Sequence, residues 1–575
     1  MAKEWLIAPA SPDCEGLAHR WHVPPIVAQL LINRGHDTHA NGSLFLRPPM
    51  KELHPPDLLP GALEAARIIV RAIRDGTKIL LYGDYDVDGT TGVAALWHIL
   101  HRAGAEVSFY VPHRIEEGYG LNLEAAKRLL AEGAGLIITV DCGITAVEEA
   151  RAIREAGARL IITDHHTLPD ELPGADAIVH PAIGNTYPSP HLCGAGVAFK
   201  LGWAVAKEMS GTDRVAPEFR DLLLQLLPLA ALGTIADLVP LVGENRVIAL
   251  HGLTALARTT MPGLRALIES AGLTSEKVSG YDVGFKLAPR INAAGRMGHA
   301  RLAVELLTRA DEPRAKEIAL YLEDHNRARQ AKERQIAKQA NEIIERNELA
   351  GDTRRAIVLA SHGWHPGVIG IVAARVVERF HRPAVLIALS GSEGQGSARS
   401  IRHFHLHDAL TECRKHLIAH GGHAMAAGLR IAADNVQPFS EAFVEIANQR
   451  LTAADLVPRL RLDAEVALAD LDLSLAETIA AMGPFGLGNP RPKLATGWVT
   501  LADEPRCVGR QQTHLQASFR ENGTCLKGIG FGLAGAIEDL KQHRRCRVAF
   551  EPIINEYNAR RSVELQILDM QFPTA

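Results

Sequence analysis

Three apolar runs in the first third of the chain end directly in carboxylates. Ile79 to Tyr82 leads into Asp84, Asp86 and Asp88, Ile137 to Val140 into Asp141, and Ile161 to Thr163 into Asp164, His165 and His166. One aspartate after a strand is ordinarily a helix N-cap or a turn former. Five of them with a histidine pair exceed that role, because clustered carboxylates repel unless a cation lies among them. Oxygen donors mixed with imidazole suit Mn²⁺, or Mg²⁺ with less histidine involvement, better than a thiol-loving metal. A cluster with room for two ions about 3.5–4 Å apart is a device for phosphoester hydrolysis.

The elements that must position these groups are legible in the pattern. Strand-length apolar runs at 78–82, 107–111, 136–140, 160–163 and 177–180 alternate with helical patterns near 91–103, 123–132 and 146–156. Alternation with strands of this buried type means an α/β fold with a parallel sheet. The carboxyl ends of such strands share one edge, where ligands bind. A more helical region spans 195–307, and 312–347 has no Gly and only Pro313, which predicts one long helix of about 50 Å. An α/β pattern restarts at 355–360, 369–380 and 384–389. After Pro458, short β-like runs (464–468, 496–501, 515–519, 526–531, 547–554, 563–568) suggest a small all-β domain. Residues 1–60 read as loop-rich around one helix near 26–34.

At the level of the whole chain, 575 residues exceed one hydrophobic core. A net charge of −4 excludes a uniformly basic binder but leaves room for a local basic groove. The apolar stretches such as 222–232 read as too short to cross a bilayer, and the start shows no signal peptide. Seven scattered cysteines without a Cys-x-x-Cys pair argue against a disulfide framework or structural zinc, and predict a cytoplasmic location.

Asp86-Val87-Asp88-Gly89, Asp141-Cys142-Gly143 and Asp164-His165-His166 resemble the first three motifs of the DHH phosphoesterase superfamily, and Gly233-Thr234-Ile235-Ala236-Asp237 resembles the fourth. The segments 289–297, 397–400 and 421–428 extend the resemblance to the RecJ family of single-strand-specific 5′→3′ DNA exonucleases, over nearly the whole chain. It implies an N-terminal segment (1–60), a DHH domain (61–310), a connecting helix (311–350), a DHH-associated α/β domain (351–452) and an OB-like barrel (458–575), with two Mn²⁺ or Mg²⁺ ions. By that resemblance Asp86 and Asp141, with Asp84, would hold one metal. Asp88, Asp141, His165 and Asp237 would hold the second, with Asp141 bridging. Asp164 would orient its neighbours, and His166 would face the scissile phosphate. Where relatives carry a histidine two positions before Asp84, this chain has Tyr82, a poor ligand at neutral pH.

Arg114, Arg296, Ser397 and Arg399 become candidates to grip the DNA 5′ end and backbone, since guanidinium matches phosphate through paired donors. Gly421 and Gly422 would let backbone approach phosphate, with His423 reaching the cleavage site; a plain tight turn is the alternative. Gly363–Gly370 with His362 and His365 is a further loop of interest, whereas His403, His405 and His407 read as a strand edge or polar turn without metal. Residues 541–561 carry six basic residues and two acids. With aromatics such as Phe519, Phe531 or Tyr557 they fit a barrel that tracks single-stranded DNA. The resemblance also implies a helicase and a single-strand-binding protein as partners, a role in repair and recombination, and no membrane. The competing expectations are a small-substrate DHH hydrolase, disfavoured by the extra β domain, and a scaffold without metals, disfavoured by the intact acids and histidines.

Overall fold

The computed structural model describes residues 3–113, 117–274, 278–297, 299–351, 353–558 and 560–573. The chain divides into two units, one formed by Trp5–Gly295, His299–Ala319 and Arg461–Ala575, the other chiefly by Leu320–Leu460.

In the first unit, β1 (Ile79–Gly83), β2 (Val107–Tyr110), β3 (Leu136–Val140), β4 (Arg159–Thr163) and β5 (Ala177–Val179) form an all-parallel sheet in the order β2-β1-β3-β4-β5. Helices α1 (Val87–Arg102), α2 (Leu123–Ala131) and α3 (Val147–Glu155) make the crossovers. β1 and β3 are buried at every position, as a doubly covered sheet requires. From β1 the chain crosses to β2 on one side, and β3 lies on the other. The topological switch point therefore falls between β1 and β3.

A helical layer comes next: α4 (Gly194–Ser210), α5 (Pro217–Ala236) and α6 (Gly243–Leu256). α5 has the length and apolar character to cross a membrane, contrary to the expectation drawn from 222–232, yet two-thirds of it is buried. It packs against α1, α4 and α6, the position of a core helix.

The N-terminal segment holds three helices, Cys14–Trp21, Pro25–Ile32 and His39–Leu46, where one was expected. They share a single apolar core with the C-terminal domain: Leu17, Trp21, Val27, Leu30, Leu31 and Phe45 pack with Leu468, Leu475, Ile479, Phe519 and Phe550. In that domain Val499–Leu501, His514–Glu521, Thr524–Gly530, Arg560–Gln571 and Arg545–Tyr557 pair successively and the last pairs back to the first. The result is a closed five-stranded ring of the OB type.

The long helix α7 (Glu312–Arg346) is continuous for 35 residues. It is more than a spacer, since Ile336, Ala340 and Ile344 lie in the core of the second unit with Ile357, Leu359, Trp364 and Val372. There β6 (Ile357–His362), β7 (Ala384–Ser390), β8 (Glu393–Arg399), β9 (Ala419–Gly422) and β10 (Ala426–Ala432) form a mixed sheet in the order β9-β10-β8-β7-β6.

Candidate metal centre

The acids after the strands stand in rank because each continues its strand's ladder by one rung. The Asp84 amide donates to Val140 O (3.1 Å), that of Asp141 to Thr163 O (3.0 Å), and that of Asp164 to Val179 O (3.2 Å). Asp86 and Asp88 arrive on the first turn of α1, where Asp86 is the N-cap and accepts from the Gly89 amide at 3.1 Å. Asp237 comes from elsewhere, the C-cap of α5.

These side chains converge. Ligand atoms of Asp84, Asp86 and Asp141, of Asp88, His165 and Asp237, and of Asp141, His165 and His166 each fall within 4.8 Å of one another. His165 Nε2 lies 3.1 Å from Asp141 Oδ1, 3.6 Å from Asp237 Oδ2 and 3.7 Å from Asp88 Oδ2. Both His165 Nε2 and Asp141 Oδ1 are buried, and neither makes a hydrogen bond. Two such donor atoms 3.1 Å apart, with carboxylates around them, fit a divalent cation.

The titration behaviour agrees. Burial, then the charges of Asp88, Asp86, Asp84 and Asp164, push Asp141 well above the carboxylate range. Burial with Asp88 and Asp86 pushes Asp237 up to about 8. Burial holds His165 below its usual value, favouring the neutral imidazole that ligates metals. The Asp141 backbone sits at φ 64°, a left-handed conformation that costs a non-glycine residue energy and that concentrates at functional sites.

The surrounding groups are as specific as the ligands. Asp88 Oδ2 and Oδ1 accept from the Gly194 and Ala195 amides at 2.6 and 2.8 Å, so the positive N-terminus of α4 faces that carboxylate. Glycine is required at two approaches: a Cβ on Gly194 would lie 2.6 Å from Asp141 Oδ1, and one on Gly233 would lie 2.5 Å from Asp88 Oδ1. Asp164 is a member of none of these three clusters but accepts from the amides of Ile144, His165 and His166 and from His166 Nδ1 at 2.7 Å. Burial alone would raise Asp164, and these bonds outweigh it to hold it low. For His166, burial opposes the charged ring, but the Asp164 bond and the charges of Asp164, Asp237 and Asp88 raise it overall.

Tyr82 is fully buried in β1; its hydroxyl donates to Gly120 O and accepts from the Asn122 amide, both at 3.2 Å, so it points into a neighbouring loop. Two residues given no role by the sequence reading belong to the site. The Tyr119 hydroxyl donates to Asp141 O (3.2 Å) and lies 3.1 Å from His166 Nδ1. Asn292 Oδ1 accepts from the Val87 amide at 3.1 Å, so the 289–297 motif braces the loop carrying Asp84 to Asp88. Neither signal could be extracted from spacing alone, since both contacts bridge separate parts of the chain.

Arg114 lies outside the described residues, as does the side chain of Arg296. In the second unit, Ser397 on β8 and Gly421 on β9 both pair with β10, with Gly428 opposite each in register. Arg399 Nη1 is 3.2 Å from Ser397 Oγ, and a Cβ on Gly370 would lie 2.8 Å from that oxygen. A Cβ on Gly421 would meet open space, so backbone is exposed there. Gly422 (φ 132°) precedes the hairpin turn in which the His423 amide donates to Ala426 O at 2.8 Å. His365 caps the helix Pro366–Phe380 and His405 caps Leu406–Glu412, so the 403–407 histidines form a turn and helix start, not a strand edge. Phe519 is fully buried, which corrects its candidacy for base stacking, whereas Phe531 and Tyr557 are exposed. Within 541–561, Lys541, Arg544, Arg547 and Arg561 have acidic partners.

Comparison with known proteins accounts for this arrangement. Residues 78–233 match the DHH family N-terminal domain, 353–449 the DHHA1 domain and 462–569 the RecJ OB domain. The single-stranded-DNA-specific exonuclease RecJ of Bacillus subtilis is 40% identical over 564 residues, covering 98% of this chain and 70% of the relative. The Escherichia coli protein of the same name is 34% identical over 564 residues, covering 96% of each. A crystal structure of Thermus thermophilus RecJ in complex with Mn²⁺ superposes with a TM-score of 0.83 at 32% identity over 100% of this chain and 80% of that one, and the Mg²⁺ complex with 0.79. The chain belongs to the RecJ family of DHH proteins.

Proposed function

We propose that this protein is a single-stranded-DNA-specific exonuclease that works from the 5′ end and releases nucleoside 5′-monophosphates. The observation that carries the chemistry is the convergence of Asp84, Asp86, Asp88, Asp141, His165 and Asp237, in which the buried Asp141 Oδ1 and His165 Nε2 make no hydrogen bond. Asp84, Asp86 and Asp141 would hold one Mn²⁺ or Mg²⁺ ion; Asp88, His165 and Asp237, with Asp141 shared, would hold the other. When bound, the ions supply Lewis acidity toward the phosphate and the water that attacks it.

The chain's own residues do the rest. Asp164 aligns His166 through Nδ1, and the ring is partly open to solvent, so that Nε2, 3.2 Å from the Tyr119 hydroxyl, can donate to a non-bridging oxygen of the scissile phosphate. The proton that Asp164 favours on His166 offsets charge that develops there during cleavage. Tyr119 steadies the same ring and the Asp141 carbonyl. In the DHH-associated domain, Ser397 and Arg399 offer a hydroxyl and a guanidinium for the terminal 5′ phosphate, backbone at Gly421 and Gly422 would accommodate the adjoining strand, and His423 is assigned to phosphate binding by its motif. Arg114 and Arg296 are assigned to the phosphate chain by their motifs. A clamp closed on a terminal phosphate accepts a chain end and blocks continuing strand, which is the physical basis of end specificity.

The family's place in DNA repair and recombination, a helicase and a single-strand-binding protein as partners, and a reducing cytoplasm complete the proposal; all seven cysteines are free. The test compares 5′- and 3′-labelled single strands, duplex, RNA and dinucleotides with Mn²⁺, Mg²⁺ or EDTA. Mononucleotide release from the labelled 5′ end of single strands, abolished by EDTA, is expected. Cleavage from the 3′ end, or preference for dinucleotides, overturns it.

A further inference from the structure

Asp237 is the carboxylate of the cluster that does not follow a strand of the catalytic sheet, and the chain immediately beyond it is tied down. Leu238 turns that chain with φ 60°. Three residues later the Leu241 amide donates to Leu487 O at 2.7 Å, a bond to the C-terminal domain. The accepting segment, 483–490, is closed on itself, with Gly486 N to Asn489 O at 2.9 Å and Asn489 N to Gly486 O at 3.2 Å. The Asn489 side chain, with no exposed surface, locks it: Nδ2 donates to Met482 O (2.9 Å) and Pro484 O (3.0 Å), and Oδ1 accepts from Arg34 Nε (3.1 Å). The loop seats tightly, since Gly488 has φ 76° and a Cβ there would lie 3.1 Å from Val242 Cγ1 and 3.3 Å from Pro240 Cβ.

A buried side chain ties the same stretch to the other ligand. Asn245 Nδ2 donates to Pro240 O at 3.1 Å and to His191 O at 2.6 Å. His191 lies three residues before Gly194, whose amide, with that of Ala195 at the start of α4, holds Asp88. The exit from Asp237 and the entry to the Asp88 cradle are thus joined through one amide and backed by one loop.

We propose that Asn245 and the 483–489 loop, locked by Asn489, are positioning groups for the Asp88, His165 and Asp237 ligand set, so that the C-terminal domain sets ion affinity at a centre to which it gives no ligand. The inference rests on the metal-centre reading above. Supports of this kind typically change metal affinity or activity by about 10–100-fold.

The test is calorimetric titration of the full chain with Mn²⁺ in the absence of DNA, for wild type, Asn489→Ala, Gly488→Ala and Asn245→Ala. The expected result is that one of two binding events weakens roughly tenfold or more while the other holds. Excess Mn²⁺ then restores kcat with little change in KM for single-stranded DNA, which a general loss of structure would not allow. Coupling is reciprocal, so Mn²⁺ should also slow hydrogen exchange at the Leu241 amide in the wild-type protein, a measurement that needs no variant to fold. Wild-type isotherms in the variants, or Leu241 exchange indifferent to Mn²⁺, overturn the proposal. Failure of the wild type to bind Mn²⁺ at all overturns the metal-centre reading, and this inference with it.

Discussion

Asp141 lies at the meeting point of two ligand groups, in strained backbone, under Gly194. Asp141→Asn keeps the volume and removes the charge, so cleavage should fall by at least about 10²–10³-fold while binding of single-stranded DNA persists. Single-turnover cleavage beside a filter-binding isotherm checks this, and near-normal turnover would remove Asp141 from the centre. Asp164→Asn leaves every proposed ligand in place but breaks the charge-assisted bond to His166. A loss of about 10–100-fold, mainly in kcat, is expected; an equal loss by KM alone would assign Asp164 to substrate binding. The acids and the histidine pair were legible in the sequence because they follow strands in short motifs. Tyr119 and Asn292 were not, because a tyrosine or asparagine in a loop acquires meaning only from its neighbours in space.

At the scale of elements, the carboxyl edge of the sheet concentrates charge that the ion-free protein relieves by keeping protons. With Asp237 raised from 3.8 to about 8, that carboxyl keeps its proton in the folded ion-free protein, and loses it in the unfolded chain, between about pH 4 and pH 8. The contribution of this group to stability must therefore fall as pH rises through that window. Melting curves in EDTA should show Tm dropping from pH 5 to pH 8, and Mn²⁺ should restore more of it at each step upward. Parallel curves with and without Mn²⁺ would show that the carboxylates do not share an ion site. The strand–helix alternation made this edge readable, since 2.0 and 3.6 residue periods are local properties of the chain. α5 was harder: a buried core helix and a membrane helix have the same composition, and only the packing of α1, α4 and α6 around it separates them.

Over the whole molecule, the first fifty residues and the last hundred fold around one core. Trp21 exemplifies it, buried with Nε1 donating to His39 O at 3.0 Å and its ring against Gly42. Trp21→Ala should cost about 3–5 kcal/mol, read by urea unfolding of the full chain. The C-terminal domain expressed as 458–575 should aggregate, and co-expression with residues 3–50 should restore solubility. A soluble, cooperatively melting 458–575 fragment would show that the shared core is dispensable. DNA affinity should fall steeply with salt, as phosphate contacts release counterions, and a flat salt dependence would argue for recognition through bases alone.

The amino-acid sequence by itself determined the chemistry and the catalytic fold. Carboxylates placed at successive strand ends of a parallel sheet must meet at its edge, and the hydrophobic period that makes the strands is local. Tertiary structure alone decided that Tyr82 turns its hydroxyl into the loop at Gly120, that the N-terminal helices share the core of the C-terminal domain, and that a loop near Asn489 backs the chain leaving Asp237. Each depends on contacts between residues distant in sequence, where an apolar side chain or an amide carries no mark of the partner it will meet.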